Sequence, residues 1–339
     1  MFMRSVVLDF ERQTVGECDR PQPEGVSPAQ VLFRIHEVGV CGTDRDLAAF
    51  KMRRPTQKVS SLVLGHEALG QVVRCGRDVH ALSEGDWVVP TVRRGCRPAC
   101  SSCARGRPDL CTSFRYTERG IVGADGYFTE YAVDDASDLI RVPPSLLDFA
   151  ILIEPMSVVE KAVARALAVR QSDDASALVL GLGPIGMLAS LILKRRGFAV
   201  RVSSAEPEDH PRVGLLRSQG IGYSRLLSGS ASLIVEAAGA ADLALAALKC
   251  LAPCGVFVTL GAQSAPGEFS FIDLIVGNQT IVGSVNASRE SFAAALSDLA
   301  ALDDRVLRAM IRRFAFSDYR RTLFELPAAE PKFVHVIAD

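Results

Sequence analysis

Residues 177–197 read ALVL-GLGPIG-MLASLILKRRG, and this stretch decides how the second half of the chain folds. An apolar strand-like run leads into three closely spaced glycines, which a predicted helix follows. In a strand–turn–helix frame the first glycine permits a tight turn, the second admits a pyrophosphate, and the third allows close packing. Such a turn is sometimes only a connection, but this frame predicts dinucleotide binding by Gly181, Gly183, Pro184, Ile185 and Gly186.

The two halves of the chain differ in their pattern of predicted strands and helices. From residue 155 to 286, helices alternate with fully apolar strands such as Ser176–Leu180, which indicates a doubly wound parallel sheet. Residues 1–154 carry short β-like runs between Gly, Pro and Asp residues, which predicts an antiparallel, loop-rich β domain. Residues 287–339 end in a helix and a strand, and we expect them to rejoin the first domain. The predicted fold class is therefore α/β.

The end of the second predicted strand of this sheet reads VRVSSAEPEDHPR and bears on the choice of cofactor. An acidic residue at this point usually binds the 2′-hydroxyl of the NAD ribose. Here the position falls on a serine, Ser203 or Ser204, which leaves room for a 2′-phosphate. Glu206 favours NAD, whereas His210 and Arg212 favour NADP, so the sequence leaves the two cofactors open.

Four cysteines lie close together at Cys96, Cys100, Cys103 and Cys111. This spacing is typical of a closed zinc site with four thiolate ligands, which has a structural role. Two disulfides are the alternative, but they need an oxidising compartment. The N-terminal MFMRSVVLDFER lacks the uninterrupted apolar core of an export signal, so we expect a cytoplasmic protein with a zinc-binding lobe at 96–111.

The composition narrows the classes of partner. The 339 residues are 48% hydrophobic and 23% charged, with a formal net charge of −1. A chain of this length has room for two domains, and it has no long basic run to attract nucleic acid or a membrane surface. No apolar run reaches the roughly 18 residues that span a bilayer. Small molecules are therefore the expected partners.

A second potential metal set is spread over the first domain. It comprises Cys41 in GVCGTDRD, His66 and Glu67 in LGHEALGQVV, and Glu154 in LIEPMSVVEKA. Three protein ligands with one open position hold catalytic zinc. The alternatives are a buried core histidine at His66 and a favourable helix N-terminal charge at Glu154. Sequence distance alone leaves both explanations open.

The order of these motifs carries a resemblance to a known family. The run GHEALGQVVRCGRDV, with CGTD upstream and the cysteine lobe and glycine turn downstream, resembles the zinc-dependent medium-chain dehydrogenase/reductase superfamily. Within it, VVPTVRRGC, CARGRPDLC, ERGIVGADGYFTEY, LIEPMSVVEKA and NQTIVGSVN most resemble the archaeal-type glucose dehydrogenases. The resemblance implies a GroES-like catalytic domain at 1–154, a Rossmann domain at 155–286 and a returning segment at 287–339. It also implies a homodimer or homotetramer.

The same resemblance assigns roles to individual residues. Each chain would carry a structural zinc in the lobe and a catalytic zinc on Cys41, His66 and Glu154, with Glu67 as a supporting residue or exchangeable ligand. The reaction would be oxidation of a sugar by hydride transfer from a zinc-bound alkoxide to NAD or NADP. Further implied residues are Thr43 and Asp46 in a proton relay, Glu118 and Glu154 at the substrate, and Ser204, Gly261 and Asn286 at the cofactor.

Three departures from the family pattern modify these expectations. Three residues separate Cys96 from Cys100 where two are usual, so that loop must bulge or one thiol must shift. The stretch from Ser204 to Ser232 leaves room for only one helix and a brief strand. Val276, Gly277 and Asn278 stand where we expect a histidine, so another polyol, cyclitol or modified sugar is an alternative substrate. A relative without catalysis is a further alternative, which the intact zinc ligands disfavour.

Overall fold

The computed structural model describes residues 1–52, 59–261, 267–268, 270–327 and 331–337. The chain divides into two compact units. The first comprises Met1–Glu154 with Ala287–Asp339, and the second comprises Pro155–Asn286.

Short strands make up most of the N-terminal part of the first unit. They are β1 Phe2–Asp9, β2 Thr14–Pro21, β3 Gln30–Val40, β4 Ser61–Val63, β5 Glu67–Cys75, β6 Trp87–Pro90, β7 Arg93–Arg94, β8 Thr117–Arg119, β9 Gly123–Ala124, β10 Tyr131–Asp135 and β11 Leu139–Arg141. The α-helices are α1 Gly42–Ala48 and α2 Ser101–Ala104, and 3₁₀ turns cover Pro108–Leu110, Ala136–Asp138 and Pro144–Leu152.

A parallel sheet organises the second unit. Its strands are β12 Ser176–Leu180, β13 Ala199–Ser203, β14 Gly222–Ser224, β15 Ala231–Glu236, β16 Leu251–Thr259 and β17 Thr280–Gly283. The helices are α3 Ile153–Val169, α4 Pro184–Arg195, α5 Pro211–Ser218, α6 Ala241–Leu248 and α7 Phe271–Val276. Among the described residues the strand order is β14-β13-β12-β15-β16-β17, with every pairing parallel. This is the 3-2-1-4-5-6 order of the Rossmann fold, and it confirms the predicted fold class.

The C-terminal segment supplies two further helices and strands, which are α8 Arg289–Leu299, α9 Asp304–Ala309, β18 Ile311–Ala315 and β19 Lys332–Val336. A 3₁₀ turn at Phe316–Asp318 and a π turn at Arg321–Glu325 lie between the two strands. β19 pairs parallel with β18 and antiparallel with β3. The last strand of the chain is therefore part of the main sheet of the first unit.

The main sheet of the first unit has the path β11-β6-β5-β3-β19-β18, and β10 pairs with the other half of β3. Smaller sheets have the orders β2-β1-β4 and β7-β8-β9. The core of this unit contains Phe33, Tyr127 and Phe128, which are fully buried. Most pairings are antiparallel, as predicted, but β8–β9 and β18–β19 are parallel.

Two local features relate to the sequence predictions. Between Ser204 and Ser232 the chain forms α5 and β14, which confirms the expected single helix and brief strand. Helix α7 was not predicted, because its FIDLIV sequence is too short and too uniformly apolar to show helical periodicity. None of the helices in the described part of the chain combines the length and apolar character needed to cross a membrane.

Candidate active site and metal centres

The glycine turn between β12 and α4 has the geometry that its sequence predicts. Gly181 has φ +96°, in the left-handed region, and a side chain there would press on the backbone of Ala238. Gly183 precedes the first turn of α4, and in the described part of the chain no atom beyond its immediate neighbours lies within 4 Å of where its side chain would be. A side chain at Gly186 would clash with the carbonyl of Gly181. The turn is therefore open only at Gly183, where a phosphate needs access to the helix N-terminus.

The end of β13 contains the residues predicted to meet the adenosine ribose. Ser204 is buried, and its carbonyl accepts a hydrogen bond from the Tyr223 hydroxyl at 3.1 Å. Arg212 is also buried, donates to the carbonyl of Leu182 in the glycine turn, and lies 3.5 Å from the carboxylate of Glu206. Glu206, which favours NAD, and Arg212, which favours NADP, thus form an ion pair.

The remaining predicted cofactor residues also lie in the second unit. Pro184 and Ile185 begin α4, while the amide of Gly261 donates to the Glu236 carboxylate at 2.9 Å. Asn286 has φ +60°, a conformation that asparagine tolerates better than most residues. His210, which was expected to favour NADP, caps α5, since its Nδ1 accepts the amide of Arg212 at 3.2 Å.

The four cysteines of the lobe converge despite the extra residue between the first two. Their sulfur atoms all lie within 4.8 Å of one another, and Cys100 Sγ is 3.9 Å from Cys111 Sγ. The amide of Cys100 donates to Cys96 Sγ at 3.2 Å, and α2 begins immediately afterwards. The peptide bond between Arg97 and Pro98 within the enlarged loop is cis.

The thiols of the lobe differ in the direction of their pKa shifts. Backbone amides of Cys103 and Thr112 lower the pKa of Cys100 to about 5. Burial, together with the neighbouring thiols, raises the pKa of Cys103 to about 12. Four thiolates this close repel one another, and a divalent ion with soft-ligand preference relieves that repulsion. The donor set fits a closed tetrahedral zinc site.

Strand register brings the second metal set together. Glu67 begins β5 and pairs with Gly39 near the end of β3, so His66 lies close to Cys41. Cys41 Sγ, a ring nitrogen of His66 and a carboxylate oxygen of Glu67 lie within 4.8 Å of one another. Ligands on a tetrahedral zinc are roughly 3.5 Å apart, so this Cys41 cluster fits a zinc ion.

Glu154 differs from the prediction in one respect. The cluster that the described residues form contains Glu67 as its carboxylate, and Glu154 lies outside it. Glu154 is nevertheless buried at the start of α3, and its pKa is raised to about 7 by burial and then by the charge of Glu67. The two carboxylates therefore share one electrostatic environment, and the ligand role of Glu154 stays a prediction.

Asp44 is a site residue that the sequence analysis missed. Its carboxylate lies 3.3 Å from His66 Nδ1 and accepts the amide of Cys41 at 2.8 Å. Burial acts to lower the pKa of His66, but Asp44 and Cys41 raise it well above its usual value. The signal was local, since Asp44 occupies the N3 position of a capping box at the start of α1.

Lys332 is the second missed residue. It is buried at the start of β19, and its ammonium forms an ion pair with the Glu67 carboxylate. Gly39 makes room for this pair, since a side chain there would collide with both partners. Burial acts to lower the pKa of Lys332, but the charge of Glu67 raises it. No sequence motif predicts the pairing of Lys332 with Glu67, because the two residues are 265 positions apart.

The other predicted residues of the first unit have mixed settings. Thr43 is partly exposed and Asp46 is exposed on α1, shortly after Cys41. Glu118 is buried on β8, where its carboxylate accepts Arg93 Nε at 2.9 Å. Arg93 stacks 3.8 Å from the Tyr116 ring centroid, so Glu118 has a structural partner and its sugar contact stays a prediction.

A β-rich unit with a lobe of four thiols and a Cys–His–Glu cluster, joined to a Rossmann unit, defines the class of zinc-dependent medium-chain dehydrogenases. Family models agree with the class. Residues 27–144 match the alcohol dehydrogenase GroES-like domain, and residues 147–332 match the glucose dehydrogenase C-terminus.

Individual relatives point to one family within the class. The chain is 38% identical over 303 residues to glucose 1-dehydrogenase of Thermoproteus tenax, covering 85% of this chain and 84% of that protein. It is 34% identical over 318 residues to the Methanocella arvoryzae enzyme of the same name, covering 88% of each. The structure of Haloferax mediterranei glucose dehydrogenase in complex with NADP, Zn and gluconolactone superposes with a TM-score of 0.90. It shares 30% identity and covers 99% of this chain and 100% of that one. The chain belongs to the glucose dehydrogenase family of zinc-dependent NAD(P) dehydrogenases.

Proposed function

We propose that this dehydrogenase oxidises the anomeric carbon of an aldose, with D-glucose the first substrate to test. The observation that carries the proposal is the Cys41 cluster, which joins a thiolate, an imidazole and a carboxylate in a unit of GroES-like type. Two observations support a sugar as the substrate. Relatives are named glucose 1-dehydrogenase, and the Haloferax mediterranei enzyme has gluconolactone bound.

The residues in and around the Cys41 cluster have different roles in the reaction. A zinc ion held by Cys41, His66 and a carboxylate supplies Lewis acidity that lowers the pKa of a substrate hydroxyl. The thiolate and the carboxylate neutralise a divalent charge between them. Asp44 keeps the His66 ring in place, and Lys332 holds the Glu67 carboxylate.

Thr43 and Asp46 provide an exit for the substrate proton. They are three residues apart on α1, so their side chains lie on neighbouring positions of the helix surface. Thr43 follows Cys41 closely and is partly exposed, while Asp46 reaches solvent. We place Thr43 at the substrate hydroxyl and Asp46 at the outer end of a relay through the cofactor ribose.

The substrate assignment is tested by a matched panel of aldoses, acyclic polyols and cyclitols, each with NAD and NADP. Formation of reduced nicotinamide, followed by its absorbance, gives kcat/KM for each pair. We expect an aldose to be the best substrate and the product to be its lactone. Turnover of cyclitols or polyols with no aldose activity would contradict the proposal and favour the alternative suggested by Val276, Gly277 and Asn278.

The relay is tested with Thr43→Val, which removes the hydroxyl and keeps the shape. We expect kcat to fall about 100-fold, the range for losing a positioned proton-transfer group. Thr43→Ser keeps a hydroxyl and serves as the control, with activity near that of the unchanged protein. Equal turnover by Thr43→Val would remove Thr43 from the mechanism.

We further propose that a second copy of the chain binds at the β17 edge of the Rossmann sheet. Among the described strands β17 lies at the end of the sheet order, and an edge strand is prone to pair with another strand. Large apolar side chains nearby are exposed, namely Phe271, Ile272, Ile275, Val276, Ile281 and Val285.

Sedimentation velocity tests this assembly. Ile275→Arg is expected to shift the protein to a smaller species, because a charge would be buried in an apolar interface. Leu226→Arg is the matched control, since Leu226 is exposed to 76% near β14 at the other end of the sheet. A monomeric unchanged protein, or equal effects of both variants, would contradict the proposed interface.

A further inference from the structure

Glu236 is a buried carboxylate at the carboxyl end of β15 that no step of the proposed mechanism uses. Only 2% of the residue is exposed. Its Oε1 accepts the backbone amides of Ala238 at 2.9 Å and Gly239 at 2.6 Å. Its Oε2 accepts the amide of Gly261 at 2.9 Å and the hydroxyl of Thr259 at 3.3 Å. Each oxygen therefore holds a different loop.

The two loops follow neighbouring parallel strands. Residues 237–240 follow β15, and residues 260–261 follow β16. Both segments therefore lie at the carboxyl ends of the strands, where dinucleotides bind in doubly wound folds. Hydrogen bonds to an ionised carboxylate are about twice as strong as neutral ones. A single buried carboxylate thus ties together two segments that follow different strands.

The loops approach too closely for side chains at the contact. A side chain at Gly261 would collide with the Glu236 carboxylate and the backbone of Gly239. The glycine turn joins this arrangement, since Gly181 packs on the backbone of Ala238 and Leu180 accepts the amide of Ala237 at 3.0 Å. The glycine turn therefore packs on the same loop whose Ala238 and Gly239 amides Glu236 binds.

We infer that Glu236 is a positioning residue for the dinucleotide site, whose carboxylate sets the spacing of the loops after β15 and β16. The inference rests on the proposed dehydrogenase function. The loops line a cavity of about 220 Å³ that includes Glu236, Gly239, Thr259 and Gly261. When the spacing is lost, cofactor binding weakens while the zinc-binding first unit is unaffected.

The substitution Glu236→Gln isolates this role. An amide NH₂ cannot accept a hydrogen bond, so in one orientation it faces the amides of Ala238 and Gly239. In the other orientation it faces the amide of Gly261, while the Thr259 hydroxyl can turn and accept. The variant therefore holds one loop and repels a backbone amide of the other. We expect the dissociation constant of the reduced cofactor, from fluorescence titration, to rise at least about tenfold. Zinc content and the KM for sugar at saturating cofactor are expected to stay unchanged, which a general loss of structure would not allow.

Two matched variants complete the experiment. Thr259→Val removes one donor and keeps the carboxylate, so we expect a rise of about twofold to threefold, and this variant decides the question if Glu236→Gln does not fold. Glu236→Asp keeps the charge but shortens the reach, and it should fall between the other two. Unchanged cofactor binding in Glu236→Gln, or in Thr259→Val when it decides, would overturn the inference.

The unchanged protein separates this inference from the proposed function. If it binds the reduced cofactor but oxidises no aldose, the substrate proposal fails and the titration of the variants still tests Glu236. If the unchanged protein oxidises an aldose and Glu236→Gln binds cofactor normally, only the role of Glu236 fails.

Discussion

The cysteine lobe, Cys96 to Cys111, and the Cys41 cluster both fit zinc, but they are assembled in different ways. The lobe takes four identical donors from one loop, and the sulfur atoms have no carboxylate among them. The Cys41 cluster takes its donors from the ends of different strands and adds Asp44 and Lys332 around them. The lobe is therefore assembled by a single loop, whereas the Cys41 cluster is assembled by the pairing of strands in the sheet.

The difference indicates why only one of them is suited to chemistry. Four thiolates saturate a tetrahedral zinc and leave no position for a substrate. A mixed donor set leaves a position open, and surrounding charged residues adjust the basicity of each ligand. Buried Glu154, with its pKa raised to about 7, adds a carboxylate whose ionisation responds to its neighbours.

Loss of a ligand from the Cys41 cluster is expected to have the largest effect. Cys41→Ser should reduce turnover by at least about three orders of magnitude, because the Lewis-acid contribution is lost. Metal analysis should show one zinc ion fewer per chain, with little change in the melting temperature. Cys75→Ser, a partly buried cysteine outside both sites, is the control. Normal turnover in the Cys41→Ser variant would contradict the catalytic role of the Cys41 cluster.

Loss of a ligand from the lobe is expected to affect stability instead. Cys103→Ser should lower the free energy of unfolding by about 4 kcal/mol, since structural zinc contributes directly to folding. Urea denaturation measures this change, and Cys250→Ser provides the comparison. The folded fraction should keep its KM for sugar, whereas a changed KM would place the lobe at the substrate.

Removal of the charge behind Glu67 is expected to disturb the Cys41 cluster from outside. Lys332→Met leaves a buried carboxylate without its cation, which should cost about 3 kcal/mol of folding stability. The visible spectrum of the cobalt-substituted protein should also change, because the Glu67 carboxylate beside the metal loses the cation that fixes its position. Lys332→Arg keeps the charge and should resemble the unchanged protein. An unaltered cobalt spectrum in Lys332→Met would show that Lys332 does not position Glu67.

Removal of the charge beside His66 should have the smallest effect. Asp44→Asn keeps the size of the side chain but lowers the basicity of the imidazole, so zinc affinity at the Cys41 cluster should fall about tenfold. Competition with a chelator measures the affinity, and the lobe should lose its zinc at an unchanged rate. Asp46→Asn, on the exposed side of the same helix, is the control for zinc affinity. Equal affinities for Asp44→Asn and the unchanged protein would contradict the role of Asp44.

Local sequence was sufficient where the interacting residues are close along the chain. The glycine turn was predictable because Gly181, Gly183 and Gly186 each satisfy a constraint within the same turn. The lobe was predictable because thiols in one loop meet without help from distant strands. Asp44 was also within reach of prediction, since a capping box shows in a few residues.

Long-range pairing explains what the sequence did not reveal. The sequence did not reveal that Glu118 has Arg93 as a partner, because the β7–β8 pairing places the two residues opposite each other. Glu206 and Arg212 favoured different cofactors in the sequence, and the fold joins them in one ion pair. Lys332 carried no signal, because its role depends on β19 lying next to β3.

The amino-acid order was enough to indicate the glycine turn and the zinc-binding lobe, since each depends on contacts within a short segment. It also indicated the class of fold and the family resemblance, which show in the pattern and order of local motifs. The tertiary structure decided that Glu67 lies close to Cys41 and His66, that Lys332 faces Glu67, and that Glu236 connects two loops. These contacts come from strand register, and hydrogen bonding between strands distant in the chain sets that register.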